Sequence, residues 1–206
     1  MMSYAVSIFY GGGARSVSIF DFVTVAVSLI LGLGITRLLE SAIEAFRRRS
    51  EVELHWLPFA WATTILVLQL QFWWAIYALQ VMDSITILEF VLLLALTLLL
   101  FVAGALVLPS GDVTYPGNLM DYFARDGVLG VAAAGTYHLV AIAANVVWFS
   151  QTVATPFVAL GLTVGILGVV LAFVRSHSWL VGLSVIWILL TVVSVVLATP
   201  ANYSTF

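Results

Sequence analysis

From Gly127 to Val174 the chain carries no Asp, Glu, Lys or Arg, and no other feature narrows the fold as much. The run is too long for one membrane crossing, because a hydrocarbon core of about 30 Å takes roughly 20 helical residues. It fits two crossings joined by a tight turn. SQTVATP (150–156) supplies the turn, and Pro156 suits the first turn of the helix after it. A soluble globule has too little interior to hide such surface. The composition agrees: 63% of residues are hydrophobic and 8% charged, against about 25% charged in soluble domains.

The same reasoning extended along the chain places apolar segments at 18–39, 56–80, 85–108, 128–150, 154–174 and 178–198, with RSHS (175–178) as the last turn. The predicted fold is all-α, a polytopic membrane bundle of about six transmembrane helices. Residues 17–199 form the membrane domain, 1–16 a flexible N-terminal tail and 200–206 a C-terminal tail. The apolar stretch in that first tail is too short for a signal-peptide core and no basic residue precedes it. The first helix is expected to continue past the membrane. In TRLLESAIEAFRRR (36–49), Leu38, Leu39, Ala42, Ile43 and Phe46 share one face, while Glu40, Glu44 and Arg47 share another. Glu40 and Glu44 can pair with Arg37 and Arg48 at helical spacing. The longest loop, 109–126, is broken by Pro109, Gly111, Pro116 and Gly117. NLMDYFARD after them suits a short interfacial helix capped by Asn118, with Leu119, Met120, Tyr122 and Phe123 at the headgroup boundary.

With six crossings, the loops after the first, third and fifth helices share a side. That side holds Arg37, Arg47, Arg48, Arg49, Arg125 and Arg175, and the other holds only Arg15. The positive-inside rule then places the Arg-rich loops in the cytoplasm and both termini outside it.

Small residues mark close helix packing. Thr24, Ser28, Gly32 and Thr36 recur at steps of four. Gly161, Gly165, Gly168 and Ala172 form one stripe, and Ser184, Thr191 and Ala198 another. Such stripes let helix backbones approach in lipid. Packing within the chain is the expectation; a homo-oligomer or a membrane-protein partner is the alternative. Trp56, Trp61, Trp73, Trp74, Trp148 and Trp179 lie towards helix ends, as aromatic belts do, and Trp187 lies near mid-depth.

Polar groups at depth are costly and are the first place to look for function. His138, Gln69 and Gln71 fall near the midplane, with Asp21, Glu89 and Asn145 nearer the outer face. His138 and Asn145 share a face, whereas Gln69 and Gln71 point nearly opposite ways. Asp21, Glu89, His138, Asn145 and Gln69 are therefore the candidate intramembrane polar cluster, with a chemistry able to relay protons or hold a cation. The simpler reading, which is preferred, makes each an interhelical hydrogen-bond partner. His55 and His177 sit at the cytoplasmic ends of their helices. Two such histidines can ligate haem, but interfacial placement is the stronger expectation, and no cofactor is predicted.

Several classes are excluded. The absence of Cys removes disulfides and thiolate chemistry, and the absence of Lys removes a retinal Schiff base. There is no phosphate-binding glycine loop with Lys, no HExxH and no GxSxG; GLSV (182–185) is not a rhomboid-type GxSG. Nothing points to an enzyme. A net charge of −3 argues for no charged partner and no nucleic acid.

DFVTVAVSLILGLGITRLL (21–39), LQLQFWW (68–74) and LPSGD followed by MDYFARD (108–126) together resemble an uncharacterised family of bacterial six-helix integral membrane proteins. The resemblance covers about the first 60% of the chain. It implies the same architecture and a bacterial inner membrane, and brings no activity with it. The reading preferred on sequence is a small structural or accessory membrane subunit. The alternative is a small transporter or channel with a polar path through His138, Glu89 and Asp21. A water-accessible cavity beside His138 would favour the alternative, and a dry core with an exposed flank the first.

Overall fold

The computed structural model describes residues 19–77, 85–110, 118–149 and 156–198. They form an all-α bundle: α1 (Ile19–Arg47), α2 (Trp56–Ile76), α3 (Ile87–Val107), a short α4 (Leu119–Tyr122), α5 (Val128–Phe149), α6 (Pro156–Leu171) and α7 (His177–Ala198). A π-helical turn, Phe123–Gly127, fuses α4 to α5. Five of the helical stretches are long and apolar enough to cross a membrane, with α4 and α5 counted as one; α6 is a shorter apolar helix. The segments 1–16, 78–80, 150–155 and 200–206, named in the sequence reading, lie outside the described residues, as does the side chain of Trp148.

The helices are apolar on both their inner and outer faces. On α1 the inner row is Val23, Val27, Leu31, Leu38 and Ala45, all buried, while Phe22, Val25, Leu29 and Leu33 lie outside, Leu29 being 63% exposed. A helix apolar all round suits lipid on its outer side. With Gly34 and Ser41, buried between them, the inner row has steps of three and four and keeps the 3.6-residue period.

Local chemistry sets the helix starts. His55 Nδ1 accepts from the Leu57 N–H at 3.2 Å and caps α2. Thr86 and Glu89 form a reciprocal capping box on α3. Asn118 Oδ1 accepts from the Met120 N–H at 2.7 Å and caps α4. α6 is shorter than the 154–174 expected. It starts at Pro156, whose ring disfavours helix at the residue before it. It stops at Leu171, where Ala172, Phe173 and Val174 donate to carbonyls three residues back.

Two expectations from sequence are corrected. Leu119, Met120, Tyr122 and Phe123 do not present themselves outward as an interfacial helix face would; all four are buried in the bundle. The Tyr122 hydroxyl donates to the Leu106 carbonyl at 3.1 Å, and Phe123 opens the π turn. Gly127 makes room for this, since a Cβ there would stand 2.6 Å from the Phe123 ring. Trp61 likewise does not join an aromatic belt. It is fully buried and stacked on Trp187, with ring centroids 4.2 Å apart.

The small-residue stripes divide. Gly161, Gly165 and Gly168 pack α6 against α5, where a Cβ on Gly135 would fall 2.6 Å from the Val169 nitrogen. On α1 the stripe is split: the Thr24 hydroxyl is buried and Ser28 accepts from Trp73 Nε1 of α2 at 3.2 Å, whereas Gly32 has nothing within 4 Å of an added Cβ and Thr36 is exposed. Ser184 and Thr191 are buried on α7; the side chain of Ala198 lies outside the described residues.

Candidate functional site

The five residues of the sequence-derived polar cluster are held in different ways. Asp21 is exposed at the start of α1. Glu89 serves its own helix: one carboxylate oxygen accepts from the Thr86 N–H at 2.7 Å and from the Thr86 hydroxyl at 2.8 Å. Asn145 donates to the Ala141 carbonyl one turn back, at 2.8 Å. His138 does the same through Nδ1, 2.9 Å from the Ala134 carbonyl. Gln69 reaches another helix, donating to the Leu100 carbonyl of α3 at 3.2 Å. Its amide fills a notch left by Gly34 on α1 and Gly104 on α3, so three helices meet around it. Its Oε1 has no hydrogen-bond partner among the described residues.

His138 is 7% exposed. Its ring meets Trp187 edge-on at 5.6 Å and Tyr137 at 5.4 Å. Phe72 packs edge-on against Tyr137, and Phe123 lies 6.4 Å from Trp61. An aromatic core thus joins α2, the π turn, α5 and α7. Trp187 Nε1 donates to the Val164 carbonyl at 2.8 Å and ties in α6. Two ring contacts and a bond to its own backbone hold this imidazole in place, which favours static packing over proton transfer.

The opposite situation holds at the Arg-rich end. The Leu119 N–H donates to the Glu53 carbonyl at 3.0 Å, and Asn118 Nδ2 to the Glu53 carboxylate at 3.4 Å. His177 Nε2 lies 3.8 Å from Asp121. The chain after α1, the start of α4 and the start of α7 therefore meet at one end of the bundle, as an up-and-down order of crossings requires. Arg125 pairs with Asp126 at 2.8 Å and Arg48 with Glu44 at 3.2 Å. Arg49 lies over the Phe46 ring, 4.8 Å from its centroid. Arg175 is exposed. His55 spends Nδ1 on its cap and His177 faces Asp121. Among the described residues no three His, Cys, Asp or Glu side chains gather as a metal site would need.

Along the end of α1 runs an open groove of about 560 Å³, lined by Arg37, Glu40, Ser41, Ile43, Glu44 and Arg47 of that one helix and by Arg48 just after it. At its edge Leu39, Ile43 and Phe46 are exposed. At 100° per residue the three fall within about 60° of one another. Sequence reasoning grouped them correctly but with Leu38, which is buried instead. It missed Ser41, Asp121 and the burial of Trp61. Ser41 and Trp61 follow from which side of a helix its neighbours occupy, and the approach of Asp121 to His177 from an encounter between distant segments; no local spacing signals any of them. No protein-family model, curated protein or solved structure matches this chain.

Proposed function

We propose that this protein is a small accessory or structural subunit of a membrane assembly. The observation that carries the reading is the enclosure of His138, whose ring is buried between Trp187 and Tyr137 with Nδ1 on its own backbone. A transporter needs its mid-depth ionisable group open to a polar path, and this one is walled by rings. The exposed row Leu39, Ile43 and Phe46 on the extension of α1 supports the same reading. Its spacing is that of helix anchors seated in a partner groove.

The resemblance of 21–39, 68–74 and 108–126 supports a bacterial inner membrane. The arginine distribution supports cytoplasmic placement of the end where α1, α4 and α7 meet, with both termini on the other side. Membrane lipid and a membrane-protein partner are the expected contacts, and haem at His55 and His177 is not part of this reading. The test has two arms. Purified full-length protein in liposomes should pass neither protons nor monovalent cations faster than empty liposomes. A photo-crosslinking residue at Ile43 should give one discrete protein adduct in native membranes. A flux abolished by His138→Leu overturns the proposal, and so does crosslinking at Ile43 to lipid alone.

A further inference from the structure

α1 has 29 residues, about 43 Å of helix at 1.5 Å per residue, whereas the hydrocarbon core is about 30 Å thick. Arg37 is the first charged residue after Asp21, so the core ends near it and the last turns of α1 run beyond. One apolar row crosses that boundary unchanged. Val25 and Leu29 are exposed on the outer side of the helix before it, and Leu39, Ile43 and Phe46 are exposed after it. Gly32 and Thr36, also exposed, hold the two places between.

The steps along this row are four, three, four, three, four and three, a strict seven-residue repeat. Such a repeat is the seam of a coiled coil, and it fits a second helix running alongside for its whole length. The buried row of α1 lies on the opposite side, where α2 and α3 already cover it. Lipid tails suit the exposed row as far as Thr36. At Ile43 and Phe46 the surroundings are headgroups and water, and an apolar row there marks a protein contact.

We propose that the helix seated on this row is α1 of a second copy of the chain, parallel to the first and in register with it. The inference rests on the reading of Leu39, Ile43 and Phe46 as partner anchors, and it names the partner. Membrane insertion gives every copy the same orientation. A two-fold axis along the membrane normal then sets two α1 helices parallel at equal depth, and each seam residue meets its own counterpart. The positions beside the seam face each other five residues apart, pairing Ser28 with Leu33, Ile35 with Glu40 and Ala42 with Arg47. No like charges oppose in that register, and the stems of Glu40 and Arg47 lie over apolar side chains. Gly32 contributes only backbone. With Leu33 on its flank the row offers roughly 650 Å² per copy, close to the about 800 Å² a side of a stable complex.

The chain has no Cys, so single-cysteine variants of the full chain report one position at a time. In membranes of producing cells, oxidation of Thr36→Cys, Leu39→Cys or Ile43→Cys should link two chains at about tenfold the yield of Leu189→Cys, because a disulfide needs Cα atoms within about 7 Å. Leu189 is as exposed as Leu29 but lies on α7. Fusion with lipid vesicles, which dilutes the protein in the membrane, should leave the seam yields unchanged. Adding Ile43→Glu to Leu39→Cys should lower the linked fraction about tenfold, since two carboxylates then meet in the seam. Seam yields no higher than that of Leu189→Cys, or yields that fall with dilution, overturn the proposal. A photo-adduct at Ile43 with a different protein, and no linked pair, overturns it while upholding the partner reading; an adduct with lipid alone overturns both. If one variant fails to accumulate in the membrane, the other seam positions decide.

Discussion

The tightest approach in the bundle is between α5 and α6, and Gly135→Ala tests it. The added Cβ would stand 2.6 Å from the Val169 nitrogen, 2.8 Å from the Gly165 oxygen and 2.8 Å from the Gly168 carbonyl carbon. All three are backbone atoms, so no rotamer change relieves the clash. The helices must part by about 0.8 Å to reach an ordinary 3.4 Å contact. Overpacking of this kind costs about 1–3 kcal/mol. Alanine recovers up to about 1 kcal/mol over glycine in helix propensity. The net expectation is a loss of about 1–2 kcal/mol, or about 5- to 30-fold in the folded-to-unfolded ratio. Gly32→Ala is the control, since nothing lies within 4 Å of its added methyl and only the propensity gain remains. Reversible unfolding from mixed micelles with dodecyl sulfate, followed by tryptophan fluorescence, reads both variants, because the Trp61–Trp187 stack reports on the same core. If Gly135→Ala is as stable as Gly32→Ala, the close α5–α6 approach is refuted, and with it the role assigned to the glycine stripe.

Trp187→Phe keeps a ring against Trp61 but loses the donor to the Val164 carbonyl, and should cost about 1–2 kcal/mol in the same assay. Gln69→Leu loses the bond to Leu100 but also removes the unpaired Oε1, so it should lie within about 1 kcal/mol of wild type; a loss above about 3 kcal/mol would mean that Oε1 has a partner. Thr86→Ala breaks the α3 capping box and should destabilise by about 1 kcal/mol, measured by thermal unfolding in detergent. A reporter active only outside the cytoplasm, fused after Phe206, should be active, and cytoplasmic activity there would reverse the orientation.

The helices were legible because apolar runs of membrane length have one reading. Their caps were only partly legible. Asn118 stands before an amphipathic stretch and was found, whereas Thr86 and Glu89 were not read as a cap because Glu89 drew attention as an intramembrane acid. Its position at the helix start, three residues after Thr86, was the available signal. Burial was less legible than helix position. Every face of these helices is apolar, so hydrophobicity does not say which face meets protein. That is why Trp61 and Phe123 read as interfacial although both are fully buried, and why the α1 stripe reads as packing along its whole length although Gly32 and Thr36 face outward.

The polar residues separate by where their partners come from. At depth, His138 and Asn145 use carbonyls of their own helix, and Gln69 uses a carbonyl of α3. A backbone carbonyl is the nearest acceptor in a medium without water, so a polar side chain at depth can be satisfied without serving any ligand. At the Arg-rich end charged side chains also meet one another: Arg48 pairs with Glu44 and Arg125 with Asp126, while Arg49 donates to the Phe46 carbonyl. Arg37, Glu40 and Arg47 line an open groove along α1, and no ion pair among the described residues takes them up. Charges in the headgroup layer are cheap to place, so their presence alone means little. The two sets differ in kind: polar side chains at depth are spent on backbone carbonyls, and the charges at the Arg-rich end are held among themselves or stand beside the groove.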